Sequence, residues 1–127
     1  MKILIVEDDY ITSEVMKEIL SSFGECILAE DGEKAVDEFS RALQTGLKFD
    51  VIFLDIMMPN MDGIETLNNI REIEKSYGIL GLDTVKIIMT TALDDFDNIK
   101  SAFHNQCEGY IVKPIEKAKI IEQLQKL

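Results

Sequence analysis

Histidine is nearly missing from this 127-residue chain: His104 stands alone, and the two cysteines, Cys26 and Cys107, lie far apart with no C-x-x-C partner. With a single histidine, a histidine-built metal site or a Ser-His-Asp apparatus is nearly excluded, and His104 reads as a surface position on a helix. The cysteines sit where the chain reads as strand or the approach to one, and are expected as reduced, structural thiols. Long hydrophobic runs are also absent, since none approaches the roughly 20 apolar residues that span a bilayer. Met1-Lys2 leads into only four apolar residues before Glu7-Asp8-Asp9, so the start does not read as a signal peptide, and a cytoplasmic location is expected. Positive charge is scarce too: 13 Lys and Arg stand against 24 Asp and Glu, for a formal net charge of −11. That balance opposes binding to nucleic-acid phosphates or anionic lipid, and leaves proteins, small phosphorylated molecules and cations as partners.

What is abundant is apolar material, 46% of the residues, enough for one sizeable core in a single domain over 1–127. Five short runs are strand-like: Ile3 to Val6, Cys26 to Ala29, Val51 to Leu54, Val85 to Met89 and Tyr110 to Val112. Between them the spacing predicts helices, with Ile11, Val15, Ile19 and Phe23 on one face of the first and Ala35, Val36, Phe39, Ala42 and Leu43 on one face of the second. Ile64, Leu67 and Ile70 suggest a third, Phe96, Ile99 and Phe103 a fourth, and Ala118, Ile121 and Leu124 a fifth. Asp31-Gly32, Asp62-Gly63 and Asp94-Asp95 offer caps or turns ahead of the second to fourth. Ser76 to Thr84 reads as a long loop with exposed Ile79 and Leu80. Strict alternation of strand and helix predicts an α/β fold: a doubly wound, five-stranded parallel sheet, (βα)5, of the flavodoxin-like class.

In such a sheet ligands bind at the carboxyl ends of the strands, beside the point where strand order reverses. Those ends carry Glu7, Asp8 and Asp9 after the first strand and Asp55 after the third. After the fourth come Thr90, Thr91 and Ala92, and after the fifth Lys113-Pro114. Taken singly, each is ordinary: Asp8 or Asp9 as a cap, Asp55 as a turn residue, Thr91 as structural, Lys113 as solvated. Together they bring three or four carboxylates to one rim. Two carboxylates about 5 Å apart at an effective dielectric near 20 repel by roughly 3 kcal/mol, which a hard cation such as Mg²⁺ offsets. An ionised Asp55 is already nucleophilic, and the metal, Lys113 and Thr91 can stabilise a transferred phosphoryl group.

V-E-D-D at Val6 to Asp9, L-D-I-M-M-P-N-M-D-G at Leu54 to Gly63, T-T-A at Thr90 to Ala92 and G-Y-I-V-K-P at Gly109 to Pro114 occur in this order over the whole chain. The sequence thereby closely resembles the CheY-like receiver domain of two-component response regulators. The resemblance implies that Asp55 is the phosphoacceptor, served by a histidine kinase, a histidine phosphotransfer protein or a small donor such as acetyl phosphate. It implies that Mg²⁺ is held by Asp8 and Asp55 directly, by Glu7 through water and by the backbone carbonyl of Met57, while Asp9 caps the first helix. Thr91 resembles the switch hydroxyl, Ala92 the small residue beside it, Lys113 the acceptor's partner and Tyr110 the aromatic switch. Pro59, Asp62 and Gly63 fall in the turn after the acceptor, and the bond before Pro114 is expected to be cis. The output implied is a changed surface on the fourth helix, fifth strand and fifth helix, met by a downstream protein, with a phosphorylation-dependent dimer as a further outcome.

This is expected to be a single-domain regulator, stand-alone or else a receiver excised from a longer regulator, rather than an enzyme with a released product. Two rivals remain at this stage. A Mg²⁺-dependent phosphohydrolase would use an aspartyl-phosphate intermediate, but such enzymes usually place a second carboxylate two residues after the nucleophile, where this chain has Met57. A flavodoxin-like cofactor module would share the fold, but an acidic rim suits an anionic flavin phosphate poorly. Apolar Met57 and Leu93 flank the expected path of a hydrolytic water, which predicts a long-lived acyl phosphate.

Overall fold

Strands too uniformly apolar to leave either face in water must be covered on both sides, and the crossover helices that parallel pairing demands supply the cover. The computed structural model of the chain describes residues 1–58, 60–92, 97 and 106–127. In chain order these form β1 (Lys2–Val6), α1 (Tyr10–Leu20), β2 (Glu25–Ala29), α2 (Gly32–Thr45), β3 (Val51–Asp55) and α3 (Gly63–Ser76). A 3₁₀ turn (Gly81–Asp83), β4 (Lys86–Thr91), β5 (Gly109–Val112) and a C-terminal helix (Lys117–Gln125) follow. The sheet order is β2-β1-β3-β4-β5, every pair parallel, as the alternation predicts. Order reverses at β1 and β3, so a crevice opens above the ends of those two strands.

Residue parity divides the core. Leu4, Val6, Ile52, Leu54, Ile87 and Met89 pack with Phe39, Leu67 and Ile70 of α2 and α3. Ile3, Ile5, Val51, Phe53 and Ile88 pack with Met16 and Leu20 of α1 and Ile120 of the C-terminal helix. Asp9, Asp31 and Asp62 each accept a backbone N–H two or three residues into the helix that follows, capping α1, α2 and α3.

Three expectations need correction. The face assigned to the first helix is wrong: Ile11 is 67% and Val15 42% exposed, and the inward stripe is Ser13, Met16 and Leu20. Steps of four residues advance 400°, so a run of three such steps drifts about 120° off one face, while a 3-then-4 spacing stays on it. On the C-terminal helix Ile120, rather than Ala118, is buried, with Leu124 packed beside it. Finally, β4 runs on through Thr91, because Thr90 pairs with Asp55 in register, so the threonines are strand residues rather than a following loop. The 76–84 segment is less open than a bare loop. The Ile79 N–H closes onto the Glu74 carbonyl at 2.9 Å and Ile79 is half-buried, although Leu80 is exposed. Pro59, Leu93, the Asp94-Asp95 cap, His104 and the fourth helix with Phe96, Ile99 and Phe103 lie outside the described residues. Among the described residues no helix is long and apolar enough to cross a membrane.

At the opposite end of the sheet from the crevice lies a polar cluster that sequence reasoning missed. Arg71 donates to Glu74 at 2.7 Å, to the carbonyl of Val85 at 2.9 Å and twice to the carbonyl of Gln106, at 3.1 and 2.8 Å. Glu74 in turn accepts the Val85 N–H at 2.6 Å. One side chain thus ties α3 to the approaches of both β4 and β5. A cavity of about 600 Å³ lies against it, remote from the acidic rim.

Candidate functional site

β1 and β3 end side by side, with Val6 in register with Leu54, so Glu7, Asp8 and Asp55 emerge together. A carboxylate oxygen from each lies within 4.8 Å of the others. Asp8 is exposed, whereas Glu7 is 3% and Asp55 only 2% exposed. Lys113, just past the end of β5, crosses to them: its ammonium is 3.0 Å from Glu7 and 3.3 Å from Asp55. The Lys113 N–H donates to the Thr91 carbonyl at 2.8 Å, fixing the lysine's backbone beside β4. The Lys113-Pro114 peptide is cis, as expected.

The turn after Asp55 is held just as closely. The Ile56 N–H donates to the Thr90 carbonyl at 3.1 Å and the Gly63 N–H returns to the Ile56 carbonyl at 2.8 Å. A Cβ on Gly63 would sit 2.3 Å from the Asp55 carbonyl oxygen, so only glycine allows α3 to start this close to the end of β3. Asn60 takes φ 65°, a left-handed conformation that asparagine tolerates. The Met57 N–H approaches Asp55 Oδ1 at 3.4 Å while its side chain faces solvent.

Burial dominates the electrostatics. It pushes the Glu7 carboxyl up to about 8; the hydrogen bond and charge of Asp55 push the same way, against Lys113. Burial also works against the Lys113 ammonium, but contacts with Glu7 and Asp55 outweigh it and hold that group above its ordinary value. Glu7 Oε2 is buried and meets no donor among the described residues. A buried carboxylate oxygen without a donor, flanked by two further carboxylates, is a donor set that fits a hard divalent cation, which takes oxygen ligands and offsets their mutual repulsion.

The remaining candidates distribute unevenly. Thr91 is buried at the rim and its hydroxyl donates to the Ala92 carbonyl at 3.1 Å, so it is engaged away from the carboxylates; Ala92 is exposed. Tyr110 packs on the α2/α3 side of the sheet, its hydroxyl buried beside the Cys107 thiol, which hydrogen-bonds it. Asp62 and Gly63 act structurally, as cap and close approach. Sequence reasoning overlooked Lys119, whose ammonium reaches the carbonyls on either side of Lys113. Its only signal was a lysine in the first turn of a helix, where cations are unfavourable.

The family model for the response regulator receiver domain matches residues 3–125. The chain is 36% identical over 132 aligned residues to Probable histidine kinase 2 of Oryza sativa, covering 96% of this chain but only 12% of that protein's length. It is 31% identical to the chemotaxis protein CheY of Listeria monocytogenes, covering 99% of this chain and 97% of the relative. Among solved structures, the CheX-CheY-BeF3-Mg complex of Borrelia burgdorferi aligns with a TM-score of 0.81 at 32% identity, over 98% of this chain and 87% of that one. A Saccharomyces cerevisiae complex of the histidine phosphotransfer protein Ypd1 with the receiver domain of Ssk1 aligns with a TM-score of 0.80 at 25% identity, over 100% and 92%.

Proposed function

The chain belongs to the response-regulator receiver family, and from that premise we propose that its 127 residues form one phosphorylation-driven switch with Asp55 as acceptor. The observation that carries the reading is Asp55 itself: a buried carboxylate at a strand end, 3.3 Å from a lysine ammonium and grouped with two further carboxylates. Burying that much charge costs several kcal/mol without a use or a partner for it.

In the proposed reaction a carboxylate oxygen of Asp55 attacks the phosphorus of a phosphohistidine on a histidine kinase or phosphotransfer protein. The P–N bond breaks, the imidazole leaves with its electron pair, and Asp55 becomes an acyl phosphate. With acetyl phosphate the P–O bond breaks and acetate leaves. Glu7, Asp8, Asp55 and the Met57 carbonyl would hold Mg²⁺, which when bound supplies positive charge to the phosphoryl oxygens. Lys113 turns from a carboxylate partner into a partner of the new dianion. Thr91 exchanges its bond to the Ala92 carbonyl for one to a phosphoryl oxygen. Since the Thr91 carbonyl also holds Lys113, both rim strands shift together, and Tyr110 on β5 follows. The downstream protein then reads the face of β5, the C-terminal helix and the expected fourth helix, with self-association on phosphorylation as a second output.

The donor has a surface at hand. Ile11 and Val15 are exposed, and with Thr12, Pro114 and Ile115 they border a groove of about 240 Å³ that Lys113 also lines. An apolar apron beside the acceptor suits a protein donor better than a small phosphate ester, which favours the signalling switch over the phosphohydrolase.

Intact mass after incubation with acetyl phosphate and Mg²⁺ tests this. A gain of about 80 Da, absent in Asp55→Asn and without the metal, is the expected result. No adduct from acetyl phosphate or from a phosphorylated histidine donor overturns the reading.

A further inference from the structure

Lys113 reaches Glu7 and Asp55 from a short stretch between the end of β5 and the C-terminal helix, and because β5 is the edge strand the sheet supplies hydrogen-bond partners there on one side only. The ammonium of Lys119 fills that gap. It donates to the carbonyl of Val112 at 3.0 Å and to that of Pro114 at 3.2 Å, the two residues flanking Lys113. It also lies 3.6 Å from the Glu116 carboxylate. With the Lys113 N–H bound to Thr91, the backbone on both sides of Lys113 is tied down, and one side chain makes two of the ties. Lys119 is only partly exposed and sits in the first turn of its helix, where the exposed N–H groups disfavour a cation. The three oxygen partners compensate for that placement.

We propose that Lys119 is a positioning residue for the phosphoryl site: by pinning the Val112 and Pro114 carbonyls it aims the Lys113 ammonium at Asp55. The proposal rests on Asp55 being the phosphoacceptor. Lys119 touches neither the acceptor nor the phosphoryl group, and acts only through the backbone that carries Lys113. Arginine at 119 can reach the same two carbonyls, whereas methionine keeps the length of the side chain but donates nothing.

The test compares wild type, Lys119→Met and Lys119→Arg, with Lys119→Gln as a second neutral variant should the methionine form aggregate. Two quantities are read: the ¹⁵N resonance of the Lys113 ammonium in metal-free protein, and the rate of Asp55 phosphorylation by acetyl phosphate with Mg²⁺. In Lys119→Met the Lys113 resonance moves and phosphorylation slows on the order of tenfold. Thermal melting matches wild type, and Lys119→Arg restores both readouts. An unchanged Lys113 resonance in Lys119→Met overturns the proposal, as does an unchanged rate, or an equal loss in Lys119→Arg. If wild type takes up no phosphoryl group, the acceptor reading falls, and the Lys113 resonance alone decides the assignment of Lys119.

Discussion

Arg71→Ala should unfold this domain more readily by about 3–5 kcal/mol, the usual cost of breaking a buried ion pair by removing one partner. Burial decides between that figure and the roughly 0–1 kcal/mol of a surface pair: the Arg71 side chain is 17% and the Glu74 side chain 2% exposed. Without the guanidinium, Glu74 Oε1 loses its 2.7 Å donor, and the carbonyls of Val85 and Gln106 lose theirs. Only Glu74 Oε2 remains satisfied, by the Val85 N–H. Each buried acceptor left open costs about 1–3 kcal/mol, which applies to Glu74 Oε1 and the Val85 carbonyl. The Gln106 carbonyl belongs to an exposed residue and turns to water, and water entering through the neighbouring cavity recovers part of the rest, which keeps the total within the quoted range. In a domain of this size the loss corresponds to a fall of roughly 10–20 °C in melting temperature. Urea unfolding at fixed pH, followed by circular dichroism, measures it directly. Glu74→Ala in the Arg71→Ala background should then cost far less than Glu74→Ala alone, because the two side chains act as one unit. Lys75→Ala, whose partner Glu72 is as exposed as the lysine itself, serves as the surface control and should change stability by less than about 1 kcal/mol. A loss below 1 kcal/mol for Arg71→Ala, or additive losses in the double variant, would refute the account of this cluster. Since Asp55, the proposed acceptor, lies at the other end of the sheet, the folded variant should still take up a phosphoryl group there at low temperature.

Gly63→Ala would set a methyl group 2.3 Å from the Asp55 carbonyl oxygen and 2.6 Å from Ile56 Cα, backbone atoms that cannot step aside. The expected result is about 1–3 kcal/mol of lost stability together with slower phosphoryl uptake, and uptake at the wild-type rate would contradict the close approach. Glu7 gives a pH dependence whose sign follows from its raised value of about 8, against an ordinary 4.5. The fold favours the protonated carboxyl, so that stabilisation is complete below the ordinary value and is lost as pH rises through about 8. In EDTA the urea midpoint should therefore fall between pH 6 and pH 8.5, and the fall should be smaller in Glu7→Gln; a midpoint that rises over this interval would contradict it. Met57 is 67% exposed beside Asp55, and Met57→Asn, by offering a polar group to a hydrolytic water, should shorten the life of the proposed acyl phosphate. Equal loss of label from both proteins would reject that idea.

The parts of the site legible in the sequence are those that need only local facts. Asp55, Glu7 and Asp8 follow apolar strands directly, and Lys113 and Thr91 stand at the ends of two more, so once alternation makes the sheet parallel, all of them must share one rim. Asp31 and Asp62 were readable as caps because a cap and its helix are neighbours in sequence. Lys119 was not readable, because its partners matter only once the C-terminal helix folds back over the end of β5. The Arg71 cluster was equally hidden, joining residues up to 37 positions apart through backbone carbonyls that carry no side-chain signal. The first helix was misread for a different reason: apolar residues at four-residue steps look like a stripe but drift around the cylinder, and three of them were left in solvent.

By itself, then, the sequence determined the layer order, the parallel sheet and the identity of the acidic rim, because hydrophobic period and strand-end chemistry are properties of contiguous residues. Tertiary structure alone decided the electrostatic state of that rim. Glu7 and Asp55 became buried while Asp8 stayed in water, a lysine from the far end of the chain came within 3.0 Å of Glu7, and a second lysine pinned the first. Burial and charge separation are distances between remote segments, and those distances exist only after the sheet has fixed its register.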